Sequence, residues 1–77
     1  MVKAYILIKT ESGKGDLVLK ELLKLSVTEE ANKVFGPFDI VLEVTARDVE
    51  AVFDILLTKI RTIDGLGDTQ TLLVIDG

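Results

Sequence analysis

The chain has 77 residues and a mass of 8.4 kDa, with 48% hydrophobic and 29% charged residues, so we expect one globular domain over residues 1–77. It contains no cysteine and no histidine, which excludes disulfides, the usual zinc centres and serine–histidine catalysis, and we expect neither a metal nor another cofactor. The net charge of −4 and the lack of a basic patch argue against direct DNA binding.

The first predicted elements are a strand and a helix. Residues 2–9 form a short run of apolar and β-branched side chains on both faces, which is typical of a central strand. The run is too short for a signal peptide or a membrane span, so we expect a cytoplasmic protein without a membrane contact. A turn follows, and Asp16 is placed to cap an amphipathic helix over residues 17–25. The predicted apolar side of that helix consists of Val18, Leu19, Leu22, Leu23 and Leu25.

The rest of the chain repeats this order with an additional strand. Residues 27–35 are polar enough to be an edge strand, and the tight turn from Gly36 to Asp39 leads into an apolar strand over residues 40–45. Thr45 and Asp48 resemble a capping box before a helix over residues 48–62. A glycine-rich turn precedes the last strand, at residues 69–75. The predicted apolar stripe of the second helix consists of Val49, Val52, Phe53, Leu56, Leu57 and Ile60, with Ile55 off the stripe as an exposed contact.

The β-α-β-β-α-β order predicts an α+β, ferredoxin-like sandwich, with a four-stranded antiparallel sheet and both helices on one face. The other face then exposes Tyr5, Leu7, Val41 and an apolar set from the last strand. A small core gives limited stability, and an exposed apolar patch usually marks an interface. We therefore predict a homodimer formed through the open sheet faces. The alternative is a half-solvated sheet with scattered apolar residues.

Two short segments carry candidate ligand-binding groups. The backbone at Gly36 allows a ligand to approach closely, and the Asp39 carboxylate is suited to an ammonium group. Thr69 and Thr71 are spaced by two, so their hydroxyls lie on one face of a strand, where they and backbone amides are suited to a carboxylate. Together these groups match a zwitterion such as a free amino acid. The alternatives are a simple hairpin turn and two good strand formers.

The chain resembles the RAM domain, the C-terminal effector-binding module of the Lrp/AsnC (feast/famine) transcription regulators. The resemblance covers nearly all 77 residues. It is carried by the opening AYILIK, the GPFDIVLEV block that begins at Gly36, the helix that opens with Asp48, and the closing TQTLLVI. The Gly-x-aromatic-Asp turn and the Thr-x-Thr strand are more specific together than either is alone.

The resemblance implies a binding module rather than an enzyme, with dimers built through their sheets and assembled into rings. It implies a free amino acid effector held where dimers meet, with Gly36, Phe38, Asp39, Thr69 and Thr71 as contacts. Full-length regulators carry an N-terminal helix-turn-helix, whereas the first strand here begins at Val2. We therefore expect a stand-alone module that does not bind DNA directly. In this interpretation it modulates transcription by joining a full-length Lrp/AsnC partner.

Three other interpretations remain open from the sequence. An ACT domain has the same element order and ligand class, and it favours a glycine-rich loop after the first strand, as at Gly13 and Gly15. A small ferredoxin-like dimeric enzyme is a second possibility, although Asn32 is the only residue of the types its pockets usually employ. A structural adaptor is a third. Stabilisation by a free amino acid would support either amino-acid sensor over the enzyme and the adaptor.

Overall fold

The computed structural model describes all 77 residues and has the predicted order of elements. All strand pairs are antiparallel, and the sheet order is β2-β3-β1-β4. The ferredoxin-like α+β fold is therefore confirmed, with β1 and β3 central and β2 at an edge as predicted. The elements are β1 (Val2–Thr10), α1 (Gly15–Leu23), β2 (Thr28–Lys33), β3 (Ile40–Ala46), α2 (Val49–Ile55), a π-helical segment (Leu56–Ile60) that continues α2, and β4 (Leu66–Leu73).

The core lies between one face of the sheet and the helices. Alternate residues of β1 and β3 are buried, as expected for strands with one covered face. No buried side-chain polar atom lacks a hydrogen-bond partner. The buried residues are Ala4, Ile6 and Ile8 in β1, Ile40, Leu42, Val44 and Ala46 in β3, Val18 and Leu22 in α1, and Val52, Leu56 and Ile60 in α2 and its continuation.

The start of α1 differs from the prediction. The cap position is Lys14, which makes no side-chain capping bond, and Asp16 lies inside the first turn. An acid there interacts favourably with the helix dipole. The Asp16 carboxylate also accepts a hydrogen bond from Lys33 Nζ at 2.7 Å, and this bond and the lysine charge hold the pKa of Asp16 below its usual range. Leu23, predicted on the apolar side, is 56% exposed.

The second helix begins with a different cap and ends in a different geometry from those predicted. Asp48 itself is the cap, accepting a hydrogen bond from the Ala51 amide at 2.8 Å, whereas Thr45 belongs to β3. From Leu56 the helix widens into a π-helix, whose larger turn keeps side chains four residues apart on the same side. The predicted stripe is partly wrong, both in the α-helical part and in the π-helical segment. Val52, Leu56 and Ile60 are buried, Val49, Phe53 and Leu57 are exposed, and Ile55 packs against the core.

The face of the sheet away from the helices is partly apolar. Tyr5 pairs with Leu72 and Leu7 pairs with Val41, and Leu72 is 45% exposed. This set includes the apolar contribution from the last strand that the sequence predicted. None of the helices is both long enough and apolar enough to cross a membrane.

Candidate functional site

The turn between β2 and β3 is fixed by backbone hydrogen bonds. The Val34 amide donates to the Asp39 carbonyl at 2.9 Å, and the Asp39 amide donates to the Ile8 carbonyl at 2.8 Å. Gly36 has a φ of 145°, and a Cβ added there would meet no atom within 4 Å. Glycine is therefore required by the backbone conformation, and the space beside it is open to a ligand.

Asp39 connects this turn to the end of β1. Its Oδ2 atom accepts hydrogen bonds from the Thr10 amide at 2.8 Å and from Thr10 Oγ1 at 3.2 Å. The other carboxylate oxygen, Oδ1, has no hydrogen-bond partner. The carboxylate therefore braces two strands and still has one oxygen available to a cationic group.

An open cleft of about 390 Å³ lies beside Asp39, between this turn and the loop that follows β1. Its walls include Thr10, Asp39 and the apolar side chains of Val34 and Phe35. Phe35 is fully exposed, whereas Phe38, the predicted aromatic contact, is half-buried. The aromatic ring most accessible from solvent beside this turn is therefore Phe35, which was not a predicted site residue.

Thr69 and Thr71 lie on the helix-covered face of β4. Thr69 is opposite Ile8 and Thr71 is opposite Ile6, and both threonines are half-buried. The Thr69 hydroxyl oxygen accepts a hydrogen bond from Arg61 Nη1 at 3.2 Å, whereas the Thr71 hydroxyl has no partner. Arg61 was not a predicted site residue. An arginine at the end of a helix, eight residues before the first threonine, is the signal that could have identified it.

Within one chain, the turn that contains Asp39 and the β4 segment with Thr69 and Thr71 lie on opposite sides of β1. β1 lies between β3 and β4, so Asp39 and Thr69 are separated by two strand spacings, or about 10 Å. The cleft beside Asp39 contains neither threonine. The two charged groups of an α-amino acid are attached to a single carbon, so this backbone spacing does not favour one molecule binding both segments of the same chain through those groups. No group of three or more acidic side chains is arranged to hold a metal ion.

The sequence profile of the Lrp/AsnC ligand binding domain matches residues 3–77. The chain belongs to this family. An uncharacterised HTH-type transcriptional regulator of Pyrococcus abyssi is 34% identical over 73 residues, which are 95% of this chain and 46% of that protein. The chain thus spans about half the length of the curated relatives it matches. The family is one of ligand-binding domains, and the curated relatives that match are regulatory proteins.

Solved structures agree with this assignment. A protein of Thermus thermophilus superposes with a TM-score of 0.95 at 28% identity, covering 100% of this chain and 96% of the other. Escherichia coli AsnC superposes with a TM-score of 0.94 at 31% identity, covering 99% of this chain and 52% of the other. The predicted resemblance to the Lrp/AsnC family is therefore confirmed in both sequence and fold.

Proposed function

We propose that this domain binds a free amino acid at a junction between copies of the chain and that this binding modulates transcription. The observation that carries the proposal is the unused Oδ1 atom of Asp39, held next to the open Gly36 turn in a ligand-binding domain of this family. In this proposal Asp39 binds the α-ammonium group of the effector. The amides around Gly36, with Thr69 or Thr71, bind the α-carboxylate, and Phe38 packs beside them.

The physical requirement is a partner for each charge of the zwitterion. Removing either charge from water without a partner is costly. The two strand spacings between the backbones at Asp39 and Thr69 favour a site in which a second copy supplies the partner for one of the charges. Binding and assembly are then coupled, because the complete site exists only where two copies meet.

Self-association follows from the open sheet face. Tyr5, Leu7, Val41 and Leu72 form an apolar surface on which two copies can pack, and the resulting dimers assemble into a ring. Leu7→Lys places a charge in this surface and should weaken dimerisation strongly. Light scattering of the wild type and the variant is the measurement, with Lys9→Leu as a control that removes a charge from the same face. A folded monomer of the wild type at micromolar concentration would contradict the proposal.

In this proposal the link to transcription runs through a partner. The chain carries a net charge of −4, which does not favour direct contact with the phosphate backbone of DNA. In this proposal the domain acts by joining a full-length Lrp/AsnC regulator. An anisotropy titration at physiological salt, with and without amino acids, should show no sequence-selective DNA binding by this chain alone.

The central experiment is a thermal-shift panel with the twenty amino acids. A ligand that binds only the folded state raises its stability, by about 2.7 kcal/mol at a hundredfold excess over Kd. One or a few amino acids should therefore raise the Tm in a saturable way and change the mass of the assembly. Equal Tm values for all twenty would overturn the proposal and favour a structural adaptor.

A further inference from the structure

The Arg61 guanidinium is held by a hydrogen bond to Thr69, but it forms no salt bridge with a carboxylate of the chain. We propose that Arg61 and Thr69 form the carboxylate-binding half of a ligand site on the helix-covered side of β4. This inference rests on the proposed function for the identity of the whole ligand, an amino acid. Carboxylate binding by Arg61 and Thr69 can be tested without knowing that ligand.

The π-helical segment sets the position of Arg61. The Arg61 amide donates to the Leu56 carbonyl at 2.9 Å, which is the i→i+5 bond of a π turn. This turn ends the helix beside β4, where the guanidinium reaches the Thr69 hydroxyl through Nη1. Only one of the five guanidinium N–H groups is used in this contact. The other four remain available to a ligand.

The surroundings of Arg61 contain no compensating acid. The chain has 13 acidic residues and 9 basic ones, yet none of the carboxylates lies within 4.0 Å of Arg61. The salt bridges involve Lys3, Lys14, Lys24 and Lys33 instead. Asp64 lies three residues beyond Arg61, but its Oδ2 atom is 3.9 Å from Lys14 Nζ. In an acidic protein, this guanidinium is thus left free for an external anion.

The neighbouring hydroxyls complete a cluster of donors. Because Thr69 accepts its bond from Arg61 through oxygen, its own hydrogen is free to be donated. Thr71 lies two residues further along the same face, about 7 Å away, and its hydroxyl is also unpaired. A planar guanidinium binds a carboxylate through two parallel hydrogen bonds. A cluster that offers donors and a positive charge therefore fits a carboxylate and disfavours an ammonium.

The chain supplies an internal control for this assignment. It has two arginines, Arg47 and Arg61, so an arginine-selective NMR spectrum contains two side-chain Nε–H signals. Arg47 is exposed like Arg61, but it lies in a cleft with Asp48, Glu50 and Asp54. A general effect of salt or pH would act on both signals, whereas a carboxylate site at Arg61 acts on one.

Sodium acetate is the first probe, titrated at constant ionic strength, with acetamide as its neutral counterpart. Acetate should shift the Arg61 signal saturably, with at least tenfold higher apparent affinity than at Arg47, and acetamide should shift neither. Thr69→Val should weaken the acetate response at Arg61 severalfold. Equal responses of the two arginines, or none at either, would overturn the inference. A selective acetate response would support it even if no amino acid stabilised the protein, which would count against the proposed function alone.

The second probe is each amino acid that raises the Tm in the panel, measured by calorimetry. Arg61→Gln should weaken its binding about tenfold or more, as expected for loss of a hydrogen bond between charged groups, and Arg61→Lys should restore part of it. Arg47→Gln is the matched control and should bind as the wild type does. Circular dichroism checks that both Arg61 variants fold. Wild-type affinity in a folded Arg61→Gln would place the carboxylate elsewhere.

Discussion

The two candidate segments differ in how far the fold itself uses their polar groups. At the β2–β3 turn, Asp39 is engaged through its amide, its carbonyl and one carboxylate oxygen. On β4, Thr71 has no side-chain hydrogen bond, and Thr69 is bonded only to Arg61. The polar groups of the first segment therefore stabilise the fold and, in our proposal, also bind the ligand. The hydroxyls of the second segment contribute little to the stability of the fold.

Because of this difference, substitutions in the two segments can distinguish effects on folding stability from effects on ligand binding. A residue that braces two strands cannot be removed without a cost in stability, so its effect on ligand binding is difficult to isolate. A half-buried hydroxyl without a partner can be removed with little or no loss of stability. Substitutions in the two segments should therefore change the two properties in different proportions.

The largest effect on stability is expected for Asp39→Ala. It removes both hydrogen bonds to Thr10, and bonds to a charged acceptor contribute about 1.5–3 kcal/mol each when well buried. Because the site is only partly buried, we expect the free energy of unfolding to fall by about 2 kcal/mol in total. Urea denaturation at one fixed protein concentration is the measurement.

Asp68→Ala is the matched control for this change, since Asp68 is an exposed acid without a hydrogen bond or ion pair. It should alter the free energy of unfolding by less than about 0.5 kcal/mol. If Asp39→Ala were as mild as this control, the bracing role of Asp39 would be refuted.

Thr71→Val should show the opposite pattern. Valine has nearly the shape of threonine and a high strand propensity, and no hydrogen bond is lost within the chain. Stability should therefore equal or exceed that of the wild type, while affinity for the effector falls about tenfold. Calorimetry and urea denaturation on the same preparation test both halves. Unchanged affinity would remove Thr71 from the site, and reduced stability would mean that its hydroxyl serves the fold.

The sequence was sufficient for the fold because most of its signals are local. Strand and helix periodicities, the Gly36 turn and the Thr-x-Thr spacing are each read within a few residues. The pairing of Asp39 with Thr10 joins residues 29 positions apart, and it could not be predicted before the register of β1 against β3 was known. At the level of sequence Asp39 was a candidate ligand group or part of a simple hairpin turn, and its hydrogen bond to β1 was not predicted.

The errors concern the helices. The predicted caps, Asp16 and Thr45, lie two residues after and three residues before the observed cap positions, Lys14 and Asp48, because helix boundaries are weakly marked in sequence.

The predicted apolar stripe of the second helix was wider than its buried face, since Val49 and Phe53 are exposed although they lie in the regular α-helical part. Arg61 was missed because its contact with Thr69 depends on where the π-helical turn ends.

The smallest expected effects are pH-dependent changes in Tm, and they contrast Lys33, beside the β2–β3 turn, with Arg61. The pKa of Asp16 is lowered mainly by the hydrogen bond from Lys33 and to a smaller extent by the lysine charge. A lowered folded-state pKa means that the pair stabilises the fold above the ordinary titration range of aspartate, near pH 4. This stabilisation is lost as the pH falls through the lowered value.

Lys33→Met keeps most of the aliphatic stem and removes the charge, so it should lower the Tm slightly at pH 6. The decrease should shrink as the pH falls and Asp16 becomes protonated. Arg61 has no carboxylate within 4.0 Å, so Arg61→Gln should change the Tm at each pH only as the loss of any one positive charge does, an effect that depends on the net charge of the chain. Lys20→Gln, at an exposed lysine outside the salt bridges, measures that general effect. Thermal denaturation of the three variants and the wild type at pH 6 and pH 2 makes the comparison. A pH dependence of Arg61→Gln that differs from that of Lys20→Gln would mean that an acid of this chain neutralises the guanidinium, and the contrast between the two segments would be lost.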